Sequence, residues 1–282
     1  MPELVVASVQ FAPDYAQVDG NVTRVIALLR DAAERGARLV VFPECALTGY
    51  GFPDRETALN HALAANGPEI RSLADECARL GVYAVIGFAE RGEPGLYNSA
   101  ALLGPKGLLG VYRKTHLPWI GLDRFADKGS TLPVFDTPLG RFGILICYDL
   151  RFPEAGVSLA LRGADAILVP TNWPEGAESS PHFLAPARAN ENRLYVIASN
   201  RVGEEAGFRF IGKSGIWGFD GKPIAYADHA DEALVIAPID PEKARQKRVI
   251  VKPGEFESEP LADRRPELYE LDKLRRSPSK AE

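Results

Sequence analysis

The sequence predicts a single α/β domain in which two mixed sheets lie face to face, with helices on the outer faces. Three observations carry this. The first third alternates short apolar runs with segments of helical apolar spacing. The middle is richer in strands joined by Gly- and Pro-containing turns. No Ser- or Pro-rich linker and no repeat divides the 282 residues, so the strands share one body too large for a single sheet.

Residues 4–9 read as a strand. Val22, Val25, Ile26, Leu29 and Ala33 then recur at helical spacing, with Gly36 at the place of a C-terminal cap. The unbroken apolar run 39–42 predicts a strand buried on both faces. A helix opens at Pro68, carries Ile70, Leu73, Ala74, Cys77 and Leu80 on one stripe, and closes at Gly81. Cys77 belongs to that stripe and reads as core. Residues 83–88 form the next strand. Runs 99–103 and 108–114 flank Gly104-Pro105-Lys106-Gly107, and runs 134–136 and 142–147 flank Thr137-Pro138-Leu139-Gly140; both pairs read as hairpins. A helix over 154–162, a strand over 166–169, a helix over 185–192 and strands over 195–199, 215–219 and 234–237 complete a domain of residues 1–252. Residues 253–282 are polar and Pro-punctuated and read as an extended arm, with 277–282 frayed.

Apolar residues make up 46% and charged residues 25% of the chain, an ordinary globular balance, and the net charge of −5 argues against nucleic-acid or acidic-membrane partners. The start has neither a basic nor an apolar leader segment, and no apolar run approaches a membrane span. Three cysteines, Cys45, Cys77 and Cys147, make no disulfide framework and fit a reducing cytoplasm. The four histidines lie far apart, with no metal-ligand spacing, so neither a metal nor a cofactor is expected.

Three reactive groups stand just past expected strand ends, where sites of α/β sheets gather: Glu44, Lys114 and Cys147. A thiol needs a base, which Glu44 can be, and gains from a cation, which Lys114 can be. Lys114 and the backbone N–H of Tyr148 could also hold the oxyanion of an acyl-transfer intermediate. Each group alone reads equally as core or surface, and spacing leaves their convergence open.

Six ordered motifs add to this. They are Leu39-Val40-Val41-Phe42-Pro43-Glu44, Tyr112-Arg113-Lys114-Thr115-His116-Leu117, Cys147-Tyr148-Asp149-Leu150-Arg151-Phe152-Pro153-Glu154, Arg188-Ala189-Asn190-Glu191-Asn192-Arg193, Asn200-Arg201-Val202-Gly203 and Asp263-Arg264-Arg265-Pro266-Glu267-Leu268-Tyr269. Over nearly the whole chain they resemble the nitrilase, or carbon–nitrogen hydrolase, superfamily. The resemblance implies an α-β-β-α sandwich, Cys147 as nucleophile, Glu44 as general base and then acid, and Lys114 as oxyanion stabiliser. It also implies a homodimer, or a higher even-numbered assembly, paired through helices beside the site with the arm reaching across. Many relatives carry a second glutamate shortly after the lysine. Here Asp123, in Asp123-Arg124-Phe125, is the candidate for that fourth carboxylate.

Tyr50, Trp119, Asn172 and Trp173 are the substrate-binding candidates, Trp119 with Phe125 in a loop that could act as a lid. His116 reads as a hydrogen-bonding support, and Asp149, Arg151 and Glu154 as structural ion-pairing residues. Residues 207–214 match G-x-x-x-x-G-K-[ST], but carry Phe208, Arg209, Phe210 and Ile211 inside the loop and precede a strand, which a phosphate-wrapping loop does not. The expected activity is hydrolysis of a non-peptide C–N bond, with a small aliphatic amide first and a nitrile or N-carbamoyl amide next. A nucleotide-binding protein and a catalytically silent dimeric scaffold are the readings from other classes.

Overall fold

A computed structural model of the chain describes residues 3–269. Along the first half run β1 (Leu4–Gln10), α1 (Val18–Glu34), β2 (Leu39–Val41), α2 (Arg55–His61), α3 (Pro68–Leu80), β3 (Tyr83–Arg91), β4 (Leu96–Gly104) and β5 (Gly107–Arg113). Then follow β6 (Val134–Thr137), β7 (Gly140–Ile144), α4 (Pro153–Leu161), β8 (Ala166–Thr171), α5 (Ala185–Asn192) and β9 (Tyr195–Asn200). A small hairpin of β10 (Glu204–Glu205) and β11 (Phe208–Arg209) leads to β12 (Gly215–Trp217), β13 (Pro223–Tyr226), β14 (Ala233–Ile239), α6 (Pro241–Arg245) and a hairpin of β15 (Val249–Lys252) with β16 (Phe256–Ser258).

The strands form two mixed six-stranded sheets, ordered β14-β1-β2-β3-β4-β5 and β13-β12-β9-β8-β7-β6. Strands alternate their side chains between faces, so a doubly covered strand is apolar throughout. In β2, Leu39 and Val41 join the core between the sheets, whereas Val40 joins Val25, Leu29, Leu73 and Cys77 under α1 and α3. On the far sheet, Leu159 of α4 and Ala189 of α5 cover the outer face. The sheets come close where small side chains allow it: the Ser8 hydroxyl donates to the Ala198 carbonyl at 2.7 Å, and the Ser199 hydroxyl to the Val9 carbonyl at 2.5 Å.

Helix α3 starts on Pro68 and stops at Gly81, whose φ of 68° is the left-handed cap that ends a helix at no steric cost. Both expected hairpins form, but β7 stops at Ile144, short of the expected 147, and Cys147 sits in a separate 3-10 turn, Cys147–Arg151. The Lys213 motif is a hairpin strand followed by β12 rather than a helix, and Lys213 is paired with Asp228. Residues 277–282 lie outside the described residues. Among those described, no helix is long and apolar enough to cross a membrane.

Direction decides where the site falls. β1, β2 and β3 are parallel, and β5 shares their direction because β4 runs antiparallel to both β3 and β5. The chain therefore leaves β2 and β5 at one end of the first sheet. β7, β8 and β9 are likewise parallel in the second sheet.

Candidate active site

The first sheet brings four polar side chains together in a buried cluster. Glu44 follows β2, Lys114 follows β5, Asn98 lies in β4, and Asp123 lies in the 3-10 turn Gly121–Arg124. All are buried, Glu44 and Lys114 with no exposed surface. The Lys114 ammonium donates to Glu44 Oε1 and to Asp123 Oδ2, each at 2.6 Å. Asn98 Nδ2 donates one hydrogen to Glu44 Oε1 at 2.7 Å and one to Asp123 Oδ1 at 2.8 Å. Two carboxylates accept from one amide nitrogen, which fixes the orientation of that amide. The Tyr50 hydroxyl donates to Asp123 Oδ2 at 2.8 Å, with the Ile120 carbonyl as a second acceptor at 3.0 Å. Backbone packing here tolerates no side chain at Gly87 in β3, because a Cβ would lie 2.5 Å from the Pro43 carbonyl and 2.8 Å from Glu44 Cα.

Two groups in this cluster keep unused capacity. Lys114 has three N–H donors and the carboxylates take two. Glu44 Oε2 is buried without a hydrogen-bond partner.

The second sheet supplies the thiol. Cys147 has φ +46°, a left-handed conformation uncommon outside glycine and found where the surroundings enforce it. Asp149 is one enforcer. Its Oδ2 accepts from the Ile146 N–H at 3.0 Å and the Tyr112 hydroxyl at 2.7 Å, and its Oδ1 accepts from the His116 N–H at 2.9 Å and the Thr115 hydroxyl at 3.1 Å. Being acceptor-only, it also fixes the proton of His116 on Nδ1, 2.7 Å away. The His116 ring stacks on Phe152 at 3.8 Å. One carboxylate thus ties the turn bearing Cys147 to the segment that follows Lys114.

Burial is the largest influence on each charge. It pushes the Lys114 ammonium down, but Asp123 and Glu44 more than reverse this and hold it well above its ordinary value. It pushes the Glu44 carboxyl up; Lys114 pulls back and Asp123 pushes again, leaving it raised. Burial and then the Glu44 charge push the Cys147 thiol up to about 12, opposed only in part by Lys114, the Thr171 hydroxyl and the Asn172 N–H. Lys114 thus lowers the cost of the thiolate, as expected, but does not outweigh burial and the Glu44 charge. At rest the sulfur keeps its proton beside a carboxylate whose affinity for protons has risen.

The substrate-binding candidates fall in different places. Asn172, after β8, is buried with both side-chain polar atoms unpartnered, and its N–H faces the Cys147 sulfur. The Trp173 ring is core, its backbone N–H donating to Asn200 Oδ1 at 2.7 Å. The Tyr50 hydroxyl is turned to Asp123. Trp119 is 84% exposed, on the rim of a cavity of about 230 Å³ with Ile120, Arg124 and Phe208. Asn98 was not singled out by the sequence; its one signal was a polar residue inside an otherwise apolar strand. Asp149, read as an ion-pairing residue, lies 2.7 Å from His116 Nδ1 and is also a buried hydrogen-bond acceptor, and Arg151 lies exposed.

The two-sheet sandwich thus sets a thiol within electrostatic reach of a buried lysine and the carboxylate paired with it. The chain belongs to the carbon–nitrogen hydrolase family, within the nitrilase superfamily, whose model matches residues 5–249. It is 38% identical over 245 residues to a nitrilase of Pyrococcus abyssi, covering 86% of this chain and 92% of that one. It is 32% identical over 292 residues to an N-carbamoylputrescine amidase of Arabidopsis thaliana, covering 95% of each. Among solved structures it resembles an amidase from Nesterenkonia sp., with a TM-score of 0.80 and 25% identity over 94% of this chain and 95% of that one. The protein is thus an enzyme of the carbon–nitrogen hydrolase type.

Proposed function

We propose that the protein hydrolyses a small aliphatic amide through a thioester on Cys147, with Glu44 as proton carrier and Lys114 as oxyanion donor. The observation that carries this is the pair of unused valences in the buried cluster: the free Oε2 of Glu44 and the third N–H of Lys114. The first can take a proton and the second can hold a developing negative charge.

The sulfur attacks the amide carbonyl carbon while its proton passes to Glu44. The carbonyl oxygen becomes an anion, held by Lys114 and by the N–H of Tyr148, which opens a helical turn where backbone donors lack internal acceptors. Collapse breaks the C–N bond, and Glu44 returns the proton to the leaving nitrogen as ammonia departs. Water then attacks the thioester and gives a proton to Glu44. Breakage of the C–S bond releases the carboxylic acid, and the sulfur recovers its proton. The first proton transfer leaves the total charge of the buried cluster unchanged, so no net charge has to be created there. Asp123 keeps Lys114 charged and Asn172 offers its unpartnered amide to the substrate.

Nitriles and N-carbamoyl amides suit the same groups and are the alternatives that the named relatives support. Incubating the protein with amides, ureido acids and nitriles, with ammonia measured and Cys147 examined by mass spectrometry, separates them. An acyl adduct on Cys147 formed from amides, absent in Cys147→Ala, is the expected result. Full activity in Cys147→Ala would end this mechanism.

The same proposal includes a cytoplasmic homodimer. Exposed Leu161 on α4 and exposed Tyr269 line a groove of about 420 Å³ with residues of α5, Pro260 and Leu261, suited to the partner's arm, and all three cysteines are free. Light scattering of the full chain against one lacking residues 253–282 tests it, with a monomer expected from the shorter chain.

A further inference from the structure

A carboxylate outside the catalytic cluster is built into its support. Glu205 sits in the β10–β11 hairpin, only 8% exposed. Its Oε1 accepts from the N–H groups of Tyr50 at 2.7 Å and Gly51 at 2.6 Å, and its Oε2 accepts from buried Arg201 at 2.9 Å. The fit leaves no slack: a Cβ on Gly51 would lie 2.5 Å from Ala206 Cβ and 3.2 Å from Glu205 Oε1. Arg201 is itself held by the Pro13 carbonyl at 3.3 Å and lies 4.4 Å from the centre of the Phe210 ring.

Tyr50 passes this constraint on from both ends. Its carbonyl accepts from the Leu122 N–H at 2.7 Å, and its hydroxyl donates to Asp123. Both partners belong to the Gly121–Arg124 turn, and the Tyr50 ring lies against Gly121, where a Cβ would be 2.4 Å from a ring carbon. Asp123 then holds Lys114. A continuous chain of hydrogen bonds therefore runs from Glu205 through Tyr50 and Asp123 to Lys114.

We propose that Glu205 is a positioning residue, which sets the place of Asp123 and Lys114 by fixing the backbone and ring of Tyr50. This deepens the catalytic reading above. A hydrogen-bonded carboxylate with two backbone N–H partners suits the task, because charge-assisted bonds are short, strong and directional. Asp123 is one carbon shorter than glutamate, so its reach to Lys114 depends on the turn that carries it, and that turn rests on Tyr50.

The test uses the full chain with Glu205→Gln, Glu205→Ala, Tyr50→Phe and the Glu205→Gln/Tyr50→Phe double variant. The rate at which iodoacetamide alkylates Cys147 at one fixed pH is read by peptide mass spectrometry, beside hydrogen exchange of residues 119–126. These readouts need no substrate. A wild-type protein that forms no acyl adduct with any amide would refute the amide mechanism without touching this role. In folded Glu205→Ala we expect faster exchange in residues 119–126 and an alkylation rate altered about 10-fold, since small misplacements around reacting groups carry large rate effects. Glu205→Gln, which keeps an acceptor for the two N–H groups, should fall between Glu205→Ala and wild type, and should add less than twofold to Tyr50→Phe. Exchange confined to residues 48–52 and 201–211, with an unchanged Cys147 rate, would overturn the role. Should the Glu205 variants fail to fold, a Tyr50→Phe variant with wild-type exchange and rate overturns it too.

Discussion

Replacing Asp123 with asparagine keeps the side-chain shape and removes one charge, which isolates what the second carboxylate does. In the wild type its Oδ2 lies 2.6 Å from the Lys114 ammonium. At an effective dielectric of about 20 that contact represents roughly 6 kcal/mol of attraction. Several kcal/mol return, because one fewer ion is then buried. A further penalty is geometric. Asn98 donates to Oδ1, while Lys114 and Tyr50 donate to Oδ2. An amide presents an oxygen on one side only, so its NH2 must face a donor in either orientation. Turning Asn98 over does not help, because its oxygen would then face Glu44. Leaving a buried donor unmatched costs about 1–3 kcal/mol. The balance predicts that Asp123→Asn lowers stability by about 3 kcal/mol. On the proposed mechanism, disturbing Lys114 should also lower turnover about 100-fold. Urea unfolding followed by circular dichroism and steady-state ammonia release measure the two. Asp123→Glu keeps the charge and adds a methylene to a packed site, at about 1–3 kcal/mol, and should retain more activity than the amide. If Asp123→Asn unfolds within about 1 kcal/mol of wild type and turns over normally, the charge argument for this carboxylate is wrong.

Glu44→Gln should separate two properties that usually move together. Turnover should drop about 100-fold or more with the proton carrier gone, yet the Cys147 alkylation profile should move to lower pH, because the Glu44 charge is one of the influences that raise the thiol. A profile moved upward would refute this. Gly87→Ala should displace the backbone at Pro43 and Glu44, costing about 1–3 kcal/mol and most of the activity; thermal unfolding with an activity assay on the folded fraction checks it. Glu76, where α3 meets Arg30 of α1, is held at about 2 by Arg79 and Arg30, below its usual 4.5. A depressed carboxyl contributes stability above the ordinary value and loses it as the pH falls through the lowered one. The difference in melting temperature between wild type and Glu76→Gln should therefore be full near neutrality and shrink between pH 4.5 and about 2. A difference that is flat with pH would show that the ion pair contributes nothing.

The sequence made most of the frame legible because its long elements carry strong periods. Helix α3 shows an apolar stripe, a Pro at its start and a Gly at its end, and β2 is apolar on both faces. Helix α2 escaped notice because seven residues hold too short a stripe; its one signal was Asp54, whose carboxylate accepts from the Thr57 N–H. Strand ends for Glu44 and Lys114 were readable, since turn residues mark them. The supports were not. Asn98, Asp149 and Glu205 act across separations of 25 to 155 residues, and no local pattern announces a partner that distant. Trp173 illustrates the converse: its place after a strand suggested a pocket residue, but its ring is buried in the hydrophobic core.

The division of the site between the sheets has a consequence for how the protein comes into being. Glu44, Asn98, Lys114 and Asp123 emerge from the ribosome before Cys147, and the sheet that carries them gains its edge strand β14 only near the chain's end. On the proposed mechanism neither set of residues can act without the other. In a nascent or half-unfolded chain the thiol is separated from its proposed base and cation. On the proposed mechanism, closure of the sandwich is therefore the step that brings nucleophile, base and cation together.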